Sequence, residues 1–145
     1  MSEEQRAGLM REFVQTIGKP DLDKTLSYLA DDATWEVPEG TFHGKDELRR
    51  YLGWLATSVP DLTVTETGIG VVVQGNRAAF EHTMQGTFEG TRCTWLAMCA
   101  YEFSGEKIQK MRTVDDRLTI LNQAAKGWLE GPIVHSLVKR AEKGL

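Results

Sequence analysis

The chain has 145 residues, of which 41% are apolar and 26% charged, and a formal net charge of −4. That length supports one hydrophobic core. The acidic balance excludes the basic face a nucleic acid needs, and no cluster of Lys and Arg suits an anionic membrane surface.

Residues Met1 to Gly8 are polar and charged, with no apolar run behind them, and no stretch of about 18 apolar residues could span a bilayer. A cytoplasmic, single-domain chain is expected, with a core over about residues 5–125 and a helical tail from 126 to 145.

Ser2 with Gln5 resembles a capping box. Behind it Leu9, Met10, Phe13, Val14 and Ile17 recur at helical spacing until Gly18 and Pro20 stop the run. Asp21 caps a second short helix carrying Leu22, Leu26, Leu29 and Ala30. Asp31 and Asp32 then break it, and Thr34 to Val37 reads as a strand. Glu39 to Gly44 reads as a turn, and Asp46 to Val59 as a third helix with Leu48, Tyr51, Leu52 and Leu55 inward. From Leu62 the period changes to that of strands. Four follow: Val64 with Ile69 to Val73, then Ala78 to Thr87 with a turn near Glu89 and Gly90, Cys93 to Phe103, and Ile108 to Val114. Asp116 reads as the N-cap of a helix bearing Leu118, Leu121 and Ala125, and Pro132 to Lys143 as a last amphipathic helix. Packing on its own domain or on a partner subunit suits that tail better than a membrane surface.

Several side chains could carry chemistry. His82 shares a strand face with Ala78, Phe80 and Met84. In a desolvated cavity it would titrate near neutral pH as an acid or base; otherwise it is a hydrogen-bonded core histidine. Trp35 and Val37 share one face of the first strand, so Glu36 points outward, and Glu39 on its loop reads as solvated. Trp35, Trp54, Trp95, Tyr101 and Phe103 form a large aromatic set, suited to core or interface and able to stack on a flat ligand. Cys93 and Cys99 lie six residues apart in one strand, too far to bond to each other, and read as reduced thiols. The three histidines sit on different elements with no carboxylate at ligand spacing, so neither a metal nor another cofactor is expected.

The order of elements resembles the nuclear transport factor 2-like superfamily, which includes ketosteroid isomerase, limonene epoxide hydrolase and SnoaL-like polyketide cyclases. The likeness rests on Leu29-Ala30-Asp31-Asp32-Ala33-Thr34, Phe42-His43-Gly44-Lys45-Asp46-Glu47-Leu48, and Gly105-Glu106-Lys107-Ile108 with Asp116 and Gln123. It implies an α+β cone: a curved antiparallel sheet wrapped around N-terminal helices over a deep pocket, here with a C-terminal helical extension. It also implies a homodimer.

In such folds the isomerase base falls at Val37, and the hydrolase and cyclase acid at Thr113. The hydrolase's second aspartate falls at His82, its arginine at Phe80, and the cyclase histidine at Cys99. None of the three acid/base sets is intact. The resemblance makes the face of Met111, Thr113 and Asp115 the pocket side. Asp115 can then orient or charge-pair His82, with desolvation raising its pKa. Asp116 is better explained as a cap, though it lies at the same end.

Taken with these residues, the resemblance implies a cofactor-independent SnoaL-like enzyme, an isomerase, cyclase or hydrolase acting on a small hydrophobic compound. His82 and Asp115 would be its catalytic groups, and Trp35, Val37, Phe80, Met84, Cys99, Met111, Thr113 and Asp116 its ligand contacts. The alternatives are a non-catalytic hydrophobic-ligand binder with the same pocket and a protein-interaction module with a filled one.

Overall fold

The computed structural model describes residues 1–88, 90–127 and 130–143. Glu89 of one expected turn, and Trp128, Leu129, Gly144 and Leu145 of the expected tail, lie outside the described residues.

Helix α1 (Glu3–Thr16) begins with the expected capping box. The Gln5 amide donates to Ser2 Oγ (3.2 Å) and the Ser2 amide to Gln5 Oε1 (2.7 Å). Its buried stripe is Met10, Phe13 and Val14. Helix α2 (Leu22–Ser27) starts where Asp21 accepts the Lys24 amide. It ends earlier than its apolar spacing suggests: Leu29 and Ala30 already belong to strand β1 (Leu29–Val37), with Leu29 buried opposite Ile108. Apolar positions at 26, 29 and 30 fit a helix turn and a buried strand start equally, and tertiary pairing decides between them.

The segment expected as a turn is instead a second strand. β2 (Gly40–His43) pairs antiparallel with β1 from Val37↔Gly40 to Thr34↔His43, leaving only Pro38 and Glu39 as the reversal. Helix α3 (Gly44–Ser58) follows at once, burying Leu48 and Leu52. Four long strands follow, as the change of period indicates, each antiparallel to the next: β3 (Thr63–Gln74), β4 (Arg77–Phe88), β5 (Thr91–Ser104) and β6 (Lys107–Asp115). The register of β3 slips between Glu66 and Val71, where Gly68 and Gly70 both take positive φ and form a bulge inside one continuous strand.

The sheet order is β2-β1-β6-β5-β4-β3, and the curved sheet with its helices is the α+β cone. Within it β1 runs parallel to β6, a pairing that no local pattern announces. Strand β5 shows why the sheet has an inside: Cys93, Trp95, Ala97, Cys99, Tyr101 and Phe103 are buried, and each residue between them faces solvent. The inner face is covered by α1, whose Phe13 ring meets Trp35 and Tyr101, and by α3, whose Tyr51 meets Trp35.

After β6, α4 (Arg117–Ala124) is capped by Asp116, which accepts the Thr119 amide at 3.0 Å. It is tied to β5 by Gln123, whose side chain bonds both backbone groups of Thr94. The last helix, α5 (Glu130–Glu142), packs beside α4 with Ile133 and Leu137 exposed. Among the described residues no helix is long and apolar enough to cross a membrane.

Candidate functional site

Between the inner sheet face and helices α1, α3 and α4 the packing leaves a cavity of about 490 Å³. Its walls are mainly apolar and aromatic: Val14, Trp35, Tyr51, Val64, Met84 and Trp95 stand among them. That is the size and character of a small-molecule site. The polar groups on its wall are few, and each can be placed.

The first is His82 on β4, only 3% exposed. Its Nδ1 lies 3.3 Å from the Phe80 carbonyl oxygen, and its ring stacks on Phe80 with centroids 4.6 Å apart. A carbonyl only accepts, so Nδ1 carries the proton and Nε2 the lone pair in the neutral ring. Burial pushes the His82 pKa down, which the Phe80 carbonyl only partly opposes.

Asp115 ends β6. Its Oδ1 accepts the Trp95 indole N–H at 3.2 Å, and its Oδ2 lies 3.6 Å from the Arg117 guanidinium. Burial raises its pKa, against the pull of Trp95 and Arg117, while the nearby Glu39 charge adds to the rise. Arg117 also donates to Glu39 Oε1 at 2.5 Å, joining the β1–β2 reversal to the start of α4 beside the cavity.

The third group is a chain of short contacts. Trp35 Nε1 donates to Thr113 Oγ1 at 2.9 Å, and Thr113 Oγ1 lies 3.2 Å from Cys99 Sγ. Burial pushes the Cys99 thiol up to about 11, so it is held as a neutral thiol.

The strand register relates these groups. His82 is opposite Ala97, and Ala97 is opposite Asp115. His82 and Asp115 therefore stand in one lateral row, separated by the strand that carries Ala97, which puts their backbones about 10 Å apart. The expected bond between them is not made. His82 Nδ1 is engaged by its own strand, and Asp115 by Trp95 and Arg117. The two groups flank the cavity instead of forming a pair.

Of the residues singled out from the sequence, Trp35, His82, Met84, Cys99, Thr113 and Asp115 line the cavity. Four others do not. Phe80 and Met111 are 1% exposed and packed in the core. Val37 sits instead at a separate shallow depression with Glu36 and Pro38, next to the β1–β2 reversal. Asp116 is turned to the α4 amides as a cap, and the Thr119 hydrogen bonds hold its carboxyl below the ordinary value.

The sequence reading missed Glu39, taken as solvated, together with Arg117 and Ile120. Tyr51 and Leu55 were legible as the inner face of α3 but not as cavity wall. Tyr51 stacks between Phe42 and Trp54 (4.6 and 5.9 Å), and burial raises its pKa. Among the described residues no group of three His, Cys, Asp or Glu side chains is placed to hold a metal ion.

A curved sheet closed over helices around an apolar cavity defines a protein of the nuclear transport factor 2-like class. Within that class residues 10–111 match the family model described as SnoaL-like domain, so the chain belongs to the SnoaL-like family.

Solved structures share the fold. A candidate SnoaL-like polyketide cyclase from Jannaschia sp. CCS1 superposes with a TM-score of 0.75 at 13% identity, over 86% of this chain and 94% of the other. A hypothetical protein with a ketosteroid isomerase-like fold from Catenulispora acidiphila DSM 44928, solved in complex with trimethylamine, gives 0.73 at 15% identity, over 80% and 91%. TerC, co-crystallised with polyporic acid, gives 0.69 at 19% identity, over 84% and 98%. No curated protein matches the sequence.

Proposed function

We propose that the cavity is the active site of a cofactor-independent SnoaL-like enzyme that moves protons on a small, largely apolar compound. The observation that carries this reading is the row His82–Ala97–Asp115, with a proton acceptor and a proton donor on either side of one apolar space. The neutral His82 would take a proton from the ligand through Nε2, and the Asp115 carboxyl would return one at a second position. Exchange with solvent between turnovers then restores both groups. Desolvation supports the assignment from both sides, because it lowers the histidine pKa and raises that of the aspartate. The two values approach each other, so the states with His82 free and Asp115 protonated coexist more than they would in water. Thr113, held by Trp35, would be a polar anchor.

The first experiment is a thermal-shift screen of the whole chain against steroids, terpene epoxides, lactones and polyketide-like aromatics. It is followed by turnover of any compound that binds. His82→Ala is expected to abolish turnover while the protein stays folded, and a fully active His82→Ala variant would overturn the assignment.

One observation favours a second reading, a binder without turnover. His82 is stacked on Phe80 and held by its own strand, as a structural histidine would be. Tight binding with no conversion would identify that protein. Against an interaction module stands the open volume of about 490 Å³, which such a module has no reason to keep.

A further inference from the structure

Arg117 stands between two carboxylates. One guanidinium nitrogen, Nη2, donates to Glu39 Oε1 at 2.5 Å and lies 3.6 Å from Asp115 Oδ2. The first contact is a charge-assisted hydrogen bond, and the second is too long to be one. The backbone places all three residues. Glu39 belongs to the two-residue reversal between β1 and β2, closed by the pairing of Val37 with Gly40. Asp115 ends β6 and Arg117 opens α4, while Asp116 between them is turned to the helix amides as a cap.

Among the described residues that line the cavity, Glu39, Asp115 and Arg117 are the charged side chains. The other titratable groups around Asp115 are neutral. Burial holds Tyr51 of α3 as the phenol and Cys99 of β5 as the thiol, and it keeps His82, across β5, unprotonated at Nε2. The state of Asp115 therefore turns on how one guanidinium is shared. A guanidinium closed on Asp115 would hold it as a carboxylate, because an opposite charge at hydrogen-bond distance favours the ionised form. Asp115 is also the more buried of the two acids, its side chain 14% exposed against 31% for Glu39, so an ion pair there would be the less screened.

We infer that Glu39 is a positioning residue that holds the Arg117 guanidinium off Asp115, so that Asp115 meets the ligand as a carboxylic acid and not as half of an ion pair. The inference rests on Asp115 being the proton donor, as proposed above, and assigns the residue that keeps it one. The Glu39 charge works in the same sense, since it disfavours a second carboxylate nearby. A bond that only tied the β1–β2 reversal to α4 would be a half-exposed ion pair, worth little to the fold and without effect on how Asp115 titrates.

The test is the titration of the Asp115 carboxyl, followed by carbon-13 NMR of the whole chain, with Asp115→Asn identifying the signal. Four proteins are compared: the wild type, Glu39→Ala, Arg117→Gln and the double variant. In Glu39→Ala the Asp115 midpoint is expected to fall by about one pH unit as the guanidinium closes on it. In Arg117→Gln it should rise. Adding Glu39→Ala to Arg117→Gln should lower it much less than Glu39→Ala does alone, because only the lost repulsion remains. Where turnover is found, the alkaline limb of its pH profile should move down with the midpoint in Glu39→Ala. Equal shifts with and without Arg117 would show that Glu39 acts by its charge alone, and would overturn the inference. An unmoved midpoint in Glu39→Ala would also overturn it, and would leave Asp115 as the proposed donor. A wild-type midpoint at or below the ordinary aspartate value, about 3.9, overturns the inference and the donor role together.

Discussion

The Trp95 indole donates its N–H to Asp115 Oδ1 across 3.2 Å, holding a partly buried carboxyl against the cavity wall. That bond stabilises the ionised form, as does Arg117, yet desolvation outweighs both and the Asp115 pKa rises. A group whose folded pKa lies above its unfolded value contributes stability that is complete below the unfolded pKa. The contribution is lost as pH rises through the folded one. At neutral pH the Asp115 carboxylate is therefore a cost to the fold. Asp115→Asn keeps an oxygen for Trp95 and removes the charge. It is expected to melt higher than wild type at pH 7–8, with the difference shrinking as pH falls toward 4. Thermal melts across that range check it, and a lower melting temperature at pH 8 would contradict it.

His82 has the opposite linkage. Its folded pKa lies below the unfolded value, so its contribution is present above the ordinary histidine pKa, about 6.5, and is lost as pH falls from there toward the folded value. Between pH 7 and 5 the wild type is expected to lose stability that His82→Gln does not lose. If turnover is found, its acid limb should fall below the ordinary histidine value and its alkaline limb should follow Asp115. The optimum is then on the acid side of neutral. A pH–rate profile for the wild type decides this, and an optimum above pH 8 would remove both residues from the proton-transfer roles.

Much of this arrangement was legible in the residues themselves. The alternation Ala78, Phe80, His82, Met84 placed a histidine on the inner face, and that of Cys93 to Phe103 described the wall opposite the helices. Alternation gives parity, however, and not depth. Phe80 and Met111 have the inward parity and are packed beneath the cavity instead of lining it. Lateral position was equally hidden. Whether Asp115 meets His82 depends on register across two hairpins, and register places Ala97 between them. The Glu39–Arg117 pair joins residues 78 apart in sequence, each read singly as solvent-facing or unremarked. Strand β2 was lost because four residues after Pro38 and Glu39 carry no alternation long enough to see.

Thr113 offers a direct measure of the cavity's polar chain. Thr113→Val removes the acceptor of the Trp35 N–H, and Trp35 is itself only 3% exposed. A buried donor left unmet costs about 1–3 kcal/mol, so the melting temperature should drop by about 3–8 °C for a chain of this size. Thr113→Ser keeps the oxygen and should lose much less. If valine and serine melt alike, the hydroxyl is not holding Trp35.

Gly86 tests how tightly the end of α3 closes over β4. A Cβ built at Gly86 would stand 2.2 Å from Val59 Cγ1, and Val59 is fully buried. The Val59 side chain already fills that place, and Leu62 Cδ1 and the Trp95 ring lie 3.5 and 3.7 Å from the same Cβ position. Gly86→Ala is expected to destabilise by about 1–3 kcal/mol, the usual cost of an added methyl in a packed core. Val59→Ala alone should also destabilise, by leaving a cavity. The double variant should be more stable than the sum of the two losses predicts, because each change removes the other's fault. Denaturant melts of the four proteins give the coupling directly. Strict additivity would mean that the chain near Val59 shifts to admit the methyl, and that the wall beside Trp95 is less rigid than its packing implies.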